Sequence, residues 1–316
     1  LNSHKQLGFL SLADIDDYLL NKIKGHEKTY QKRMQDRADQ MTNIETQIGP
    51  IYMSYPEDNS INDLLLSYTK VEPNYDFQSF DKSFHKLWCI NNEIDVLKIT
   101  KKLKSIKSLY IADGHHRMGA MNIIAKTFRK NCNNCNDFMI AAFPTNQSQI
   151  LDYNRVVRDL NGLSANKFLE NLKIYFNVST CLHPHRPISK KNFGMYHQRK
   201  WYSLDFIGSI KKEKNILSNL DINIINNYCL IPILGIKDIN KDERIRFIAG
   251  CHGLEALEKK VNENNDSVAF SIFPSHIEDV MKVADNKLTM PPKSTWFDPK
   301  PLDGLVVYEF NQETSI

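Results

Sequence analysis

The period of the hydrophobic positions changes several times along this chain, and each change marks an element. Over residues 1–20 polar and apolar residues alternate, with no apolar core of a secretory leader. Ser11 or Asp14 can cap a helix running to about Ile23, where Gly25 breaks it. A long polar helix is expected over 30–47, closed by Gly49 and Pro50, with Lys32, Arg33, Asp36, Arg37 and Asp39 on a solvated face. Residues 51–55 read as a short strand, 56–59 as a turn, and 61–70 as a helix. A strand over 84–90 and a basic amphipathic helix over 93–104 follow. Leu109, Tyr110, Ile111 and Ala112 form an apolar run suited to a strand buried on both faces. Met118, Met121, Ile124, Ala125 and Phe128 then recur at helical spacing over 116–130, and 138–143 reads as another buried strand. Strand, helix, strand in that order predicts an α/β unit.

After Pro144 the texture changes, which places a lobe boundary near 145–150 and predicts lobes 1–147 and 148–316. The second lobe reads as a helix over 163–175, a loop-rich stretch over 183–198, and strands over 201–206, 245–248 and 268–272. Helices are expected over 253–261 and 277–285. The tail over 290–305 is rich in Pro and Lys and has no helical period. The fold class expected from this order is α/β, mixed with α+β.

Composition narrows the function classes. With 41 basic and 37 acidic residues the net charge is +4, far short of the clustered basic excess of a nucleic-acid-binding protein. No stretch approaches the roughly 18 continuous apolar residues of a membrane helix, so no membrane partner is expected. Six cysteines in 316 residues form no dense framework, and a reducing cytoplasm is the expected location. The sequons at Asn146, Asn177 and Asn265 then carry no sugar. Cys132 and Cys135 form a lone C-x-x-C, and no second pair completes a zinc site. Cys251 and His252 are neighbours on a strand, point to opposite faces, and make no thiol dyad. The chain has no P-loop, no Gly-rich dinucleotide fingerprint and no H-E-x-x-H.

The most informative stretch is Asp113-Gly114-His115-His116-Arg117, where an apolar strand turns into a helix. A helix N-terminus offers N–H groups and partial positive charge. Gly114 lets the backbone turn tightly, Arg117 is a planar anion clamp, and two histidines can exchange protons near neutral pH. Together they suit a phosphate, with Asp113 as a metal ligand or an orienting carboxylate. The competing reading is an ordinary strand–helix turn with Asp113 as cap.

Three further stretches are weaker alone. His26-Glu27-Lys28-Thr29 could supply a general base and a proton shuttle, or could be a helix cap at Thr29. Tyr153-Asn154-Arg155 before Val156-Val157 could aim polar side chains into a cleft, or enter a strand from a loop. Lys293-Ser294-Thr295 and Lys300, bracketed by prolines, could close over a phosphate or pack across a sheet.

From Ile111 to Arg117 the chain resembles long bacterial and archaeal proteins of unknown function related to the SerK-type free serine kinases, which share a core with ParB and sulfiredoxin. Gly25 to Thr29, the run from Asp36-Arg37 to Gly49-Pro50, Tyr153 to Val157, Met290 to Phe297, Pro299-Lys300 and Gly304-Leu305 add to the likeness, in the expected order over nearly the whole chain. The resemblance implies a ParB/sulfiredoxin-like core with a second α+β lobe, and phosphotransfer on serine or phosphoserine as small-molecule substrate. It implies Glu27 as base, His26 as proton shuttle, and His115 or His116 exchanging a proton with the serine oxygen. Asp113 would hold Mg²⁺, with ADP or ATP as the nucleotide. Thr29, Gly114, Arg117, Tyr153, Asn154, Arg155, Lys293, Ser294 and Thr295 become substrate- and phosphate-binding residues. A phosphoserine phosphatase using the same residues, and a non-catalytic nucleotide-binding regulator of the ParB kind, are the alternatives. Two features depart from the pattern. Members carry a further segment before the His-Glu-Lys-Thr stretch, whereas only about 25 residues precede it here, and Leu1 is not an initiator, so missing N-terminal structure is expected. The turn also lacks the cysteine that sulfiredoxin chemistry needs.

Overall fold

The computed structural model describes residues 4–128, 134–209, 216–264 and 267–310. Backbone contacts divide them into two compact units. Unit 1 takes the residues up to Gly25, Thr29–Ser148, and those from Pro299 onward; unit 2 takes His26–Lys28 and Gln149–Asp298. The expected lobes were continuous in sequence, whereas these units exchange a three-residue segment and the tail. The fold is mixed α/β, as the order of elements predicts.

Unit 1 runs β1 (Phe9–Asp14), α1 (Ile15–Leu19), β2 (Ile23–Lys24), α2 (Gln31–Asn43), β3 (Thr46–Gln47), β4 (Ile51–Tyr55), α3 (Asn59–Tyr68), β5 (Tyr75–Gln78), β6 (Phe84–Leu87), α4 (Glu93–Leu103), β7 (Leu109–Asp113), α5 (His115–Phe128) and β8 (Asp137–Pro144). Its main sheet has the order β1-β8-β4-β7-β2. The polar/apolar alternation near the N-terminus belongs to β1, an edge strand paired antiparallel with β8. Asp14 caps α1 by accepting from the Asp16 N–H at 2.7 Å, but the helix ends at Leu19. Asn21 takes a left-handed φ of 59°, and the chain re-enters the sheet as β2, parallel to β7. Ile23, expected on a helix, is therefore a buried strand residue. The long polar helix is also shorter than expected. It stops at Asn43, and Glu45 at φ 50° turns the chain into β3.

The strand–helix–strand order does not give a parallel crossover. β7 and β8 flank β4, which is antiparallel to β7 and parallel to β8, so β7 and β8 run opposite ways. Helices α2 and α5 pack closely at Gly119. A Cβ there would overlap the Met34 sulfur, so the absent side chain sets the helix separation. The tail closes on this unit: Tyr308–Glu309 pairs antiparallel with β3, and Phe310 is buried in the core.

Unit 2 runs β9 (Ile150–Leu151), β10 (Tyr153–Val157), α6 (Ala165–Leu172), β11 (Phe176–Cys181), β12 (Asn192–His197), β13 (Lys200–Phe206), α7 (Asp221–Ile225), β14 (Ile245–Ala249), α8 (Glu255–Asn262), β15 (Val268–Ile272), α9 (Ile277–Asp285) and β16 (Trp296–Phe297). Its antiparallel sheet has the order β11-β13-β12-β15-β10-β14. Strand periodicity of two divides the apolar side chains between its faces. Val157, Met195, Tyr202 and Phe270 pack with α6, α7 and α9, while Val156, Tyr196, Trp201 and Ala269 pack with α8. The stretch over 183–198, expected to be loop, contains β12, all of whose residues are buried.

Among the described residues no helix is long and apolar enough to cross a membrane. Cys89, Cys181, Cys229 and Cys251 are free, whereas Cys135 is disulfide-bonded and departs from the expectation of reduced thiols. Cys132, the sequon at Asn265 and the end of the helix expected to reach 130 lie outside the described residues.

Candidate functional site

The candidate residues fall into two groups. Thr29, Asp113, Gly114, His115, His116 and Arg117 belong to unit 1; His26, Glu27, Tyr153, Asn154, Arg155, Lys293, Ser294 and Thr295 belong to unit 2.

In unit 1 the turn stands at the carboxyl end of an interior strand, β7. Gly114 has φ +98°, a conformation L side chains avoid, and a Cβ there would sit 3.4 Å from Ile51 Cγ2. The Gly114 carbonyl accepts the first helical bond from the Met118 N–H at 2.8 Å. The first-turn N–H groups of α5 therefore point out past the strand end. Arg117 lies on this turn with its guanidinium divided between two acceptors. Nη1 donates to the Pro50 carbonyl, and Nη2 faces both oxygens of Asp303 at 3.2 and 3.3 Å. Lys300 Nζ donates to Asp113 Oδ1. The turn's acid thus holds a tail lysine, and the turn's arginine holds a tail aspartate. The closeness of Gly49 admits Asp303, whose Oδ1 would collide with any Cβ at that position.

The histidines differ. His115 is buried, with Gly25 packed close to its ring: a Cβ on Gly25 would come within 3.1 Å of Cδ2. His116 Nε2 accepts from the Tyr30 backbone N–H at 3.3 Å, and its ring stacks on Tyr30 with centroids 6.1 Å apart. In that bond the ring nitrogen is the acceptor and the backbone the donor. Thr29 is not the cap of α2. The cap position is Tyr30, without a side-chain cap bond.

In unit 2 the loop from Met290 to Thr295 is held from several sides. The Met290 N–H donates to the His26 carbonyl at 2.7 Å, and His26 Nε2 lies 3.4 Å from Thr295 Oγ1. Ser294 Oγ donates to the Pro291 carbonyl at 2.7 Å, and Ser275 Oγ donates to the Ser294 carbonyl at 3.0 Å. Arg155 is fully buried. Its Nη2 donates to the carbonyls of Lys293 at 2.7 Å and Pro292 at 3.3 Å, its Nη1 donates to the Tyr153 carbonyl, and Phe247 covers its Cζ at 5.0 Å. Burial pushes the guanidinium down to about 9, so it remains a cation at neutral pH. With Lys293 at φ +54°, this grip keeps a strained residue in place and sets its Nζ 5.9 Å over the Tyr153 ring. Asn154 is equally buried. It donates to Asp152 Oδ2 at 2.5 Å and accepts from the Ile272 N–H at 3.0 Å, tying β10 to β15. Glu27 is exposed.

Sequence reasoning missed Asp303, Asp152, Tyr30 and Ser275. Asp303 precedes Gly304 and reads as a turn residue. Asp152 stands two before Asn154, on the same face of an extended chain, which was the available signal.

The chain belongs to the family described as "Protein of unknown function (DUF1015)", whose model matches residues 1–223. No curated protein matches. Among solved structures, SbnI with C-terminal truncation from Staphylococcus aureus is similar at 11% identity and TM-score 0.48, covering 94% of this chain and 85% of that one. A free serine kinase variant in complex with AMP is similar at 13% identity and TM-score 0.44, covering 95% and 92%. A conserved hypothetical protein from Pyrococcus furiosus is similar at 13% identity and TM-score 0.38, covering 95% and 96%. At these identities and scores none carries a residue's role to this chain.

Proposed function

We propose that this chain is a phosphotransfer enzyme acting on serine or phosphoserine, with the transferred phosphate held at the β7–α5 turn. The observation that supports it is the seat of Asp303. A carboxylate from the tail faces a single guanidinium nitrogen of Arg117, a first-turn residue of a 14-residue helix, at distances longer than a tight charge-assisted pair. A place that accepts an exposed carboxylate loosely is suited to a better anion.

In this reading the N–H groups at Gly114 to His116 hold the phosphate oxygens. Arg117 turns from Asp303 to the phosphoryl group as charge develops on it, and Lys300 adds a second cation. The bond between phosphorus and the donor oxygen breaks as the serine oxygen bonds to phosphorus; the serine proton passes to a base. His115 or His116 exchanges the proton on the serine oxygen. The Asn154 amide, the Ser294 hydroxyl and the two terminal nitrogens of Arg155 bond to neighbouring groups. They act as positioning residues for Tyr153 and Lys293. A ParB/sulfiredoxin-like core is part of the same reading.

The implied Mg²⁺ finds a poor fit at Asp113, a single carboxylate already bonded to an ammonium, where Mg²⁺ takes one or two carboxylates with phosphates and waters. No step is drawn through it. The turn suits a phosphate group, and ADP or ATP enters as the expected second substrate.

The test is phosphate release from phosphoserine, with and without ADP, beside Arg117→Ala and His116→Ala. ATP formation that requires ADP and is lost in Arg117→Ala supports a reversible serine kinase. Release without nucleotide makes the protein a phosphatase. No turnover, with phosphate giving no protection against heating, ends the proposal.

A further inference from the structure

We propose that α4 and the β5–β6 hairpin form a dimerisation arm, which pairs about a two-fold axis with the same arm of a second copy, α4 lying antiparallel to α4.

Between α3 and β7 the chain leaves the core of unit 1. That core takes Ile61 and Leu65 from α3 and Leu103 from the end of α4, and no apolar side chain from the residues between. Helix α4 buries none of its eleven residues. The hairpin is a sheet of two strands that pair only with each other. Such a ribbon is at best marginally stable in water without something to pack against. Yet the arm is rich in large apolar side chains. Val71 is 68% exposed, Tyr75 58%, Phe80 110%, Phe84 74%, Ile94 75% and Leu97 69%. At on the order of 100–150 Å² each, these six approach the roughly 800 Å² that one partner brings to a standard interface. Single exposed leucines need no explanation; six on one 40-residue excursion do.

The charge pattern points to a second copy as the occupant. The first turn of α4 carries Glu93 and Asp95, and the last carries Lys101 and Lys102. A two-fold axis reverses one helix against the other, so the acidic end of each meets the basic end of its mate. An isologous contact requires this self-complementarity. Leu97 lies midway between Glu93 and Lys101, four residues from each. With Leu97 on the axis, Leu97 meets Leu97 of the second copy, and Glu93 faces Lys101 of the second copy on both sides. Asp95 already accepts from Tyr68 Oη at 2.8 Å, which fixes α4 to α3 and presents the Glu93–Leu97–Lys101 stripe as a rigid edge.

The test is light scattering on the full chain at roughly tens of micromolar and low salt, where charge pairing is least screened. The expected mass is twice 36.7 kDa. Leu97→Glu is expected to give the monomer with unchanged thermal unfolding of secondary structure, because the side chain it replaces packs little within its own chain. Glu93→Lys and Lys101→Glu are each expected to weaken the dimer at least several-fold, and the double swap to restore it. A monomer for the native chain overturns the proposal. So does a dimer that survives Leu97→Glu, which would place the interface elsewhere. Failure of the double swap to restore association overturns the antiparallel pairing of α4.

Discussion

The two acceptors of Arg117 differ in what their loss costs, and the difference can be measured. Nη1 donates to the carbonyl of buried Pro50, and Nη2 reaches Asp303 at 3.2 and 3.3 Å, with the Asp303 side chain 61% exposed. Ion pairs in that setting contribute about 0–1 kcal/mol. A buried carbonyl deprived of its donor costs about 1–3 kcal/mol. Asp303→Asn is therefore expected to change stability by less than about 1 kcal/mol, and Arg117→Ala to lower it by about 2–3 kcal/mol. The coupling in a double-mutant cycle should stay below about 1 kcal/mol and shrink further in salt. Urea denaturation at low and high salt supplies the numbers. Inorganic phosphate should raise the melting temperature of Asp303→Asn more than that of the native chain, and should leave Arg117→Ala unmoved. A coupling above about 2 kcal/mol would refute this reasoning, because the pair would then be a structural clamp. The Arg117 fork would not exchange, and the observation supporting a phosphate site would be gone.

Arg155→Ala should destabilise the protein by about 3–5 kcal/mol in urea denaturation, since it leaves a cavity and three carbonyls without donors. Arg155→Lys should recover only part, because an ammonium cannot reproduce the planar fork. Burial raises the Asp221 carboxyl from 3.8 to about 6, although the Lys191 N–H and nearby Lys190 oppose the rise. The folded state then holds the proton more tightly than the unfolded chain, so native stability falls as pH rises from about 4 through about 6. Asp221→Asn should be more stable than the native chain at pH 7, by up to about 3 kcal/mol, with the gain vanishing near pH 4; a pH-independent difference would exclude Asp221 as its source. Gly119→Ala should cost about 1–3 kcal/mol through collision with Met34, and Met34→Ala in the same chain should relieve much of that loss, as read by thermal unfolding.

The amino-acid sequence by itself determined the elements whose signals are local. The apolar run before Asp113-Gly114 is β7, the helical spacing from Met118 to Phe128 is α5, and the Pro-rich tail has no helix. Asp14 acts as a cap through its own neighbour, two residues away. Three-dimensional pairing decided the rest. Ile23 is as apolar on a helix as in a strand, and it became β2 because β7 had a free edge to accept it. Residues 183–198 carry loop-forming prolines and a glycine, yet β12 lies within them, flanked by β13 and β15 on a sheet covered on both faces. The polar residues of Asp113 to Arg117 were legible as a cluster, but their partners were not. Lys300 and Asp303 lie more than 180 residues away, and an ion pair leaves no periodicity in a sequence. Arg155 read as a side chain aimed into a cleft because nothing local says whether a cation will find solvent or carbonyls. It was the return of the 290–295 loop that buried it, since a guanidinium can be taken from water only where acceptors replace its hydration.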